Sequence, residues 1–351
     1  MGARGAHVAA AALALAAAAG CAIGVADEEL AQPPIAVLHW THEDAWARAD
    51  AERGARGPRR QGVARAGDLG RWLGGGEALE ADDPAARWPG HLALVDPASG
   101  RVERVSDAPP GAVPLAWSAD HRRLLFATSR IDARWQLYAY DVATREIAPL
   151  TRGAADHPRG DFGPRGGLVF TRIERAPARY TVWLRRAADA QERLVAEGAF
   201  VEGVRWSPRG DMLLLDVAEP SRGLRDEDAR RTIFAVPTDA PVQSWPPDAG
   251  AAMRALGRGR DPVFSADGEW IVYSARVGKG WRLRRMRVDG GVRAAVGAGA
   301  RDELEPTLSP DGRLVAYVAE DARLHRLFVR RVDGSGDRLL VTDGAVARPV
   351  W

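Results

Sequence analysis

The chain is 351 residues long, with 49 basic against 47 acidic side chains and a single cysteine. No run of one charge sign is long enough to favour a nucleic acid, and the lone Cys21 excludes an internal disulfide. The length suits one domain with a substantial core and little else.

Residues 1–20 read as a signal peptide. Arg4 and His7 form a short basic start, and Val8–Ala19 is an apolar run too short to span a bilayer. It ends in Ala18-Ala19-Gly20-Cys21. Small residues before a cysteine resemble the bacterial lipoprotein box, which implies that Cys21 becomes the lipid-bearing N-terminus; Ala18 stands where Leu is usual. Residues 21–34 are then expected as a lipid-anchored linker. Ala22, by analogy with enteric bacteria, points to the periplasmic side of the outer membrane.

From Ile35 onward the pattern is strand after strand. Ile35–Trp40, His91–Val95 and Arg101–Val105 read as strands two, three and four of a first blade, with a turn over Asp96–Gly100. No first strand precedes them, because Gln32-Pro33-Pro34 stands there. Between strands two and three lies an insertion, Thr41–Gly90, with eight arginines, nine acidic residues and nine glycines, but also Trp46, Trp72 and Trp88. Three indoles favour a partly ordered lid over a solvated loop.

A motif then recurs. It reads PLAWSAD from Pro114, FGPRG from Phe162, VRWSPRG from Val204, PVFSADG from Pro262, PTLSPDG from Pro306 and PVW at the end. The bulky anchors Trp117, Phe162, Trp206, Phe264, Leu308 and Trp351 are 45, 44, 58, 44 and 43 residues apart. A period in the low forties with four short strands per copy is the signature of a β-propeller. The Asp-Gly turns at Asp267 and Asp311 favour the tight hairpins this needs. The last residues, Ala347–Trp351, match a first strand with nothing after it. The expectation is an all-β, six-bladed β-propeller over residues 35–351, of four-stranded antiparallel blades, closed by the C-terminal strand pairing with Ile35–Trp40. Closure leaves no free sheet edge. Blade four is expected to carry a second insertion, Glu219–Arg230, and a long connection from its fourth strand to the next blade over Trp245–Arg260. All three lengthenings are then expected on one face.

The repeat resembles the propeller of the TolB family, whose signature is Pro-x-aromatic-Ser-Pro-Asp-Gly. Pro306–Gly312 and Pro262–Gly268 match best, Trp206–Gly210 and Trp117–Asp120 partly, and Phe162–Gly166 is degenerate. The resemblance covers roughly residues 35 to 351. It implies the propeller alone, without the α/β domain that precedes it in TolB.

Candidate sites are few. His39-Trp40-Thr41-His42-Glu43-Asp44 is the one dense group of metal-capable side chains, but its spacing is not that of a zinc protease, and no metal or other cofactor is expected. No Gly-x-Ser-x-Gly elbow is present, and His91, His121, His157 and His325 are scattered, so no catalytic residue is assigned. The fold itself supplies one constellation. The residue three before each anchor enters the first strand at the central channel: Pro114, Arg159, Gly203, Asp261, Glu305 and Arg348. The charged four, Arg159, Asp261, Glu305 and Arg348, either receive a partner's polar group or pair with one another. The reading is a monomeric, exported, lipid-anchored propeller that binds or scaffolds an envelope protein or peptide. The alternative is a polysaccharide-degrading lyase or other envelope enzyme working at the channel mouth.

Overall fold

The computed structural model describes residues 24–41, 43, 90–187, 191–218, 231–297, 299, 301–321 and 324–351. The expected signal, residues 1–20, with Cys21, nearly all of Thr41–Gly90 and Glu219–Arg230 lie outside the described residues.

The second strand of each repeat is the reason the chain folds as it does. Leu124–Ala127, Leu213–Leu215 and Leu314–Ala316 are wholly buried runs rather than alternating ones. A strand reads that way when both faces of its sheet are covered, as they are when sheets stack face to face around an axis. Six antiparallel sheets do so here. Blade two is Val113–Trp117, Arg123–Thr128, Gln136–Asp141 and Ile147–Pro149, and blade three is Gly160–Phe162, Leu168–Arg175, Ala178–Arg185 and Glu192–Glu197. Blade four is Phe200–Trp206, Met212–Ala218, Arg231–Pro237 and Arg254–Arg258. Blade five is Arg260–Phe264, Trp270–Val277, Gly280–Arg287 and Arg293–Ala295. Blade six is Glu303–Leu308, Leu314–Asp321, Leu324–Arg331 and Arg338–Leu339.

Blade one is assembled from both ends of the chain. Ala345–Val350 pairs antiparallel with Ile35–Trp40, placing Val350 opposite Ala36 and Ala345 opposite Trp40; His91–Val95 and Val102–Arg104 complete the sheet. The indole of Trp117 donates to Val350 O at 3.1 Å, and that of Trp351 to Pro33 O at 2.8 Å. The ring is thereby closed as the repeat spacing predicts.

The degenerate copy has a physical reason. A Cβ on Gly163 would lie 2.1 Å from Cε3 of Trp206, the anchor of the next blade. A side chain at position 163 would occupy the space of that indole, so Gly163 stands where the signature has Ser, at the point where the neighbouring anchor leans across.

One connection differs from expectation. Trp245–Arg260 is not a lengthened link between blades, because Arg254–Arg258 is blade four's own fourth strand, paired with Thr232–Ala235. The long segment is residues 238–253, between the third and fourth strands. It starts beside the first hairpin, where Thr238 N donates to Asp211 O at 2.9 Å. It then packs on the flank of the ring. Gln243–Ser244 adds a parallel edge strand to blade three, and Trp245 meets Phe234 edge-on at 5.0 Å. Sequence periodicity misplaces it because Arg254–Arg258 carries little apolar character. Two lengthenings, not three, therefore fall on the face of the strand-two to strand-three turns. The residues flanking both, Trp40 with His91 and Ala218 with Arg231, lie at the end where the first strands begin.

Candidate functional site

The channel has two mouths, set by the direction of the six first strands. They begin at the face that carries the two insertions and end at the face of the first hairpins.

At the insertion face, Pro114, Arg159, Gly203, Asp261, Glu305 and Arg348 all line one space, with room of only about 50 Å³. The sequence count of three before each anchor thus picks out one ring. The backbone explains why these side chains converge. The first-strand pairing shifts register between Pro114 and Ala116, Val201 and Gly203, Arg260 and Val263, Leu304 and Thr307. A bulge of this kind re-aims a side chain. At three equivalent positions it also demands a left-handed backbone: φ is 53° at Asp261, 52° at Glu305 and 53° at Arg348. None of these is a glycine, so each costs roughly 1–2 kcal/mol, and such strain clusters at ligand clamps and functional sites.

The ring charges are bound to one another and to a second set behind them. Arg159 donates to Glu202 through Nη2 at 3.0 Å and to the Glu202 carbonyl through Nε at 2.6 Å. Arg260 Nε donates to Asp261 at 2.8 Å, and Arg231 lies 3.8 Å from the same carboxylate. Arg231 also grips the fully buried Asp216 with two hydrogen bonds, and Asp216 in turn accepts the Asp261 backbone N–H at 2.8 Å. Glu305 accepts the Arg348 backbone N–H at 2.7 Å and faces its Nε at 3.5 Å; Arg348 Nη1 stands 4.0 Å from Asp261. Four guanidinium groups thus meet four carboxylates across blades three, four, five, six and one. Of these only the ring positions Arg159, Asp261, Glu305 and Arg348 were legible. Glu202 and Arg260 immediately precede ring positions, and Asp216 and Arg231 flank the blade-four insertion; charge at those places was the signal that could have found them.

Burial and charge pull the acids apart. Burial drives the Asp216 pKa up, with Asp261 adding to the rise against Arg231. Burial also acts to raise Asp261, but Arg260, Arg231 and Arg348 outweigh it and hold that carboxyl well below the usual range. Glu202 is likewise buried, and Arg231 and Arg159 bring it below its ordinary value. Burial and the like charge of Arg348 lower Arg159 to about 10, so it remains a cation at neutral pH.

At the hairpin face the six anchors, Trp117, Phe162, Trp206, Phe264, Leu308 and Trp351, line a wider bowl of about 310 Å³. Arg205 separates the two mouths: it borders both, and its Nη1 donates across the channel to Leu115 O at 3.0 Å. Beside it Asp161 accepts the Trp206 backbone N–H at 2.8 Å, one of the bonds that lock blade to blade. Burial raises the Asp161 pKa from 3.8 to about 6, against the opposing pull of Arg205 and the Trp206 N–H.

That shift has a measurable consequence. The folded value lies above the unfolded one, so Asp161 is best accommodated when protonated, and its contribution to stability falls as pH rises from about 4 through 6. The rise corresponds to about 3 kcal/mol. Asp161→Asn keeps an acceptor for Trp206 and removes the titration. The stability difference, variant minus wild type, is expected to be more favourable at pH 8 than at pH 4 by about that amount. Urea denaturation at both pH values measures it, and a difference independent of pH would remove the burial argument. His157 titrates in the same range with the opposite sign, since burial lowers its pKa to about 4; this is why the difference between proteins, and not the wild-type profile, is the readout.

His39, from the metal-capable group, contacts Asp343 O through Nε2 at 3.1 Å; His42 and Asp44 lie outside the described residues. No group of three or more metal-ligating side chains stands together among the described residues, and no helix among them is long and apolar enough to cross a membrane.

No family model and no curated protein matches the sequence. Solved structures do match the fold. TolB from Acinetobacter baumannii superposes with a TM-score of 0.62 at 16% identity, covering 93% of this chain and 67% of that one. A TolB from Agrobacterium tumefaciens gives 0.52 at 20% identity, covering 69% and 84%. An oligogalacturonate lyase from Vibrio parahaemolyticus gives 0.45 at 10% identity, covering 72% and 82%, a likeness too loose to bear on activity. With six four-stranded blades, closure by the C-terminal strand and this similarity, the chain is a six-bladed β-propeller of the TolB type in its fold.

Proposed function

We propose that the protein is an exported propeller, anchored through a lipid on Cys21 at the periplasmic side of the outer membrane, that binds an envelope protein or peptide over its charged mouth. It acts by binding and not by catalysis. The observation that carries this reading is the triplet of left-handed, charged residues, Asp261, Glu305 and Arg348, repeated at one register position on three adjacent blades. Strain repeated at one channel mouth suits a recognition surface better than a packing role, which unstrained glycine would serve at lower cost. The room inside is of water size. The partner therefore docks across the mouth, exchanging some of the internal ion pairs for its own, at the end of the ring where the residues flanking the two insertions lie.

Crosslinking in intact cells, with the attached protein identified by mass, tests this. Asp261→Asn with Glu305→Gln is expected to abolish capture, since removing one side of a desolvated charge pair costs about 2–5 kcal/mol. Asn tolerates the left-handed backbone at position 261, so the loop geometry is kept. Crosslinks concentrated instead on Asp120, Asp267 and Asp311, in the first hairpins, would place the partner on the opposite face and end this reading.

A further inference from the structure

The stretch ahead of blade one is pinned to the ring by two buried side chains and a set of ion pairs. Leu30 is fully buried and Val25 nearly so, in the cluster that holds Leu314, Leu340 and Trp351. Arg331 closes on Glu29 with hydrogen bonds of 2.5 and 2.8 Å and reaches Gly24 O at 3.2 Å. Arg338 pairs with Asp27, and Gln32 Nε2 donates to Asp311 at 3.0 Å. Every one of these partners lies at the same end of the blades. Asp311 is in the first hairpin of blade six, and Arg331 and Arg338 flank its last turn, Asp333–Gly336. The chain is thus led out over the hairpin-face edge of blades six and one.

We propose that this clamp orients the anchored ring, holding its hairpin face toward the lipid surface and presenting the charged mouth away from it. The inference rests on the acylation of Cys21 put forward above. Cys21 stands three residues before Gly24, and three residues reach at most about 11 Å. An eight-residue strand such as Leu314–Asp321 carries the chain about 26 Å to the opposite face. With the clamp closed, the tether brings the hairpin edge to the membrane and leaves the charged mouth beyond its reach. The ion pairs are solvent-exposed and weak singly; the burial of Leu30 and Val25 beneath them is what fixes the path. A partner elsewhere in the envelope then meets the insertion face without competing with the lipid surface. A free tether of the same length would allow the ring to turn either way.

The test uses the acylated full-length protein in vesicles of phosphatidylethanolamine and phosphatidylglycerol that carry a nitroxide-labelled lipid. Val292 and Val277 are both on blade five and are 63% and 42% exposed, at its hairpin and insertion faces respectively. Val292→Cys and Val277→Cys, each labelled with a fluorescent maleimide, report the distance of each face from lipid; acylated Cys21 does not react. Quenching at position 292 is expected to exceed that at 277 at least threefold. Leu30→Ser and Val25→Ser, combined with Asp27→Arg and Glu29→Arg, open the clamp and are expected to bring the two signals together while the protein stays in the membrane fraction. Equal or reversed quenching in protein that carries acyl label overturns the orientation alone. A protein without acyl label that partitions as a soluble species overturns the anchor, and the orientation with it.

Discussion

Deletion of Ala345–Trp351 is expected to leave the protein unable to fold at 37 °C. The segment supplies the first strand of blade one, and without it Ile35–Trp40 becomes an open edge facing the channel. Trp351 is buried among Val25, Leu30 and Leu314, and its backbone N–H is held by Thr307 Oγ1 at 3.0 Å. Truncating one buried indole costs about 3–5 kcal/mol, against a typical net stability of about 5–15 kcal/mol for a whole domain. The deletion removes the pairing of the strand as well. Trp351→Phe keeps most of the apolar contact and loses only the hydrogen bond to Pro33 O, so it should fold with a modest loss. Thermal and urea denaturation of both variants separate the two effects. A cooperative transition unchanged in the deletion would show that the ring does not depend on this closure.

Arg231→Leu is expected to cost about 3–5 kcal/mol, because it strands a buried carboxylate instead of merely removing a pair. Asp216 is wholly buried with Arg231 as its cationic partner; Asp261 loses one of its three cations at the same time. The sign of the pH dependence follows from Asp216. Burial already holds its pKa above the ordinary value, and loss of Arg231 pushes it further the same way. A carboxyl whose folded pKa is raised stabilises the protein when protonated, so the deficit of the variant should shrink as pH falls from 8 toward 5. Adding Asp216→Asn to Arg231→Leu should recover part of the loss at pH 8 and little at pH 5. A deficit under about 1 kcal/mol, or one independent of pH, would mean that solvent reaches the pair and that the ring is not a desolvated network.

The repeat of Trp117, Phe162, Trp206, Phe264, Leu308 and Trp351 was enough to determine the blade count, the closure by the last strand and the ring of first-strand positions. Periodicity carries that information because each blade must solve the same packing problem: a bulky anchor between sheets, a tight turn after it and a doubly covered second strand. What periodicity does not carry is anything set between blades. That Arg159 reaches Glu202, that Asp216 and Arg231 stand behind Asp261, and that Arg205 divides the channel are contacts between residues 15 to 90 positions apart, fixed by how one blade leans on another. The same holds for residues 238–253, whose polar sequence lies along the flank because Trp245 finds Phe234 there, and for Val25–Leu30, which reads as a tether until Arg331 and Arg338 are seen to grip it. Local pattern determined which strands exist and in what order. The tertiary structure alone decided which charges neutralise one another and which face of the ring the N-terminal segment leaves from, since burial and distance, not neighbouring sequence, set the energy of a charge.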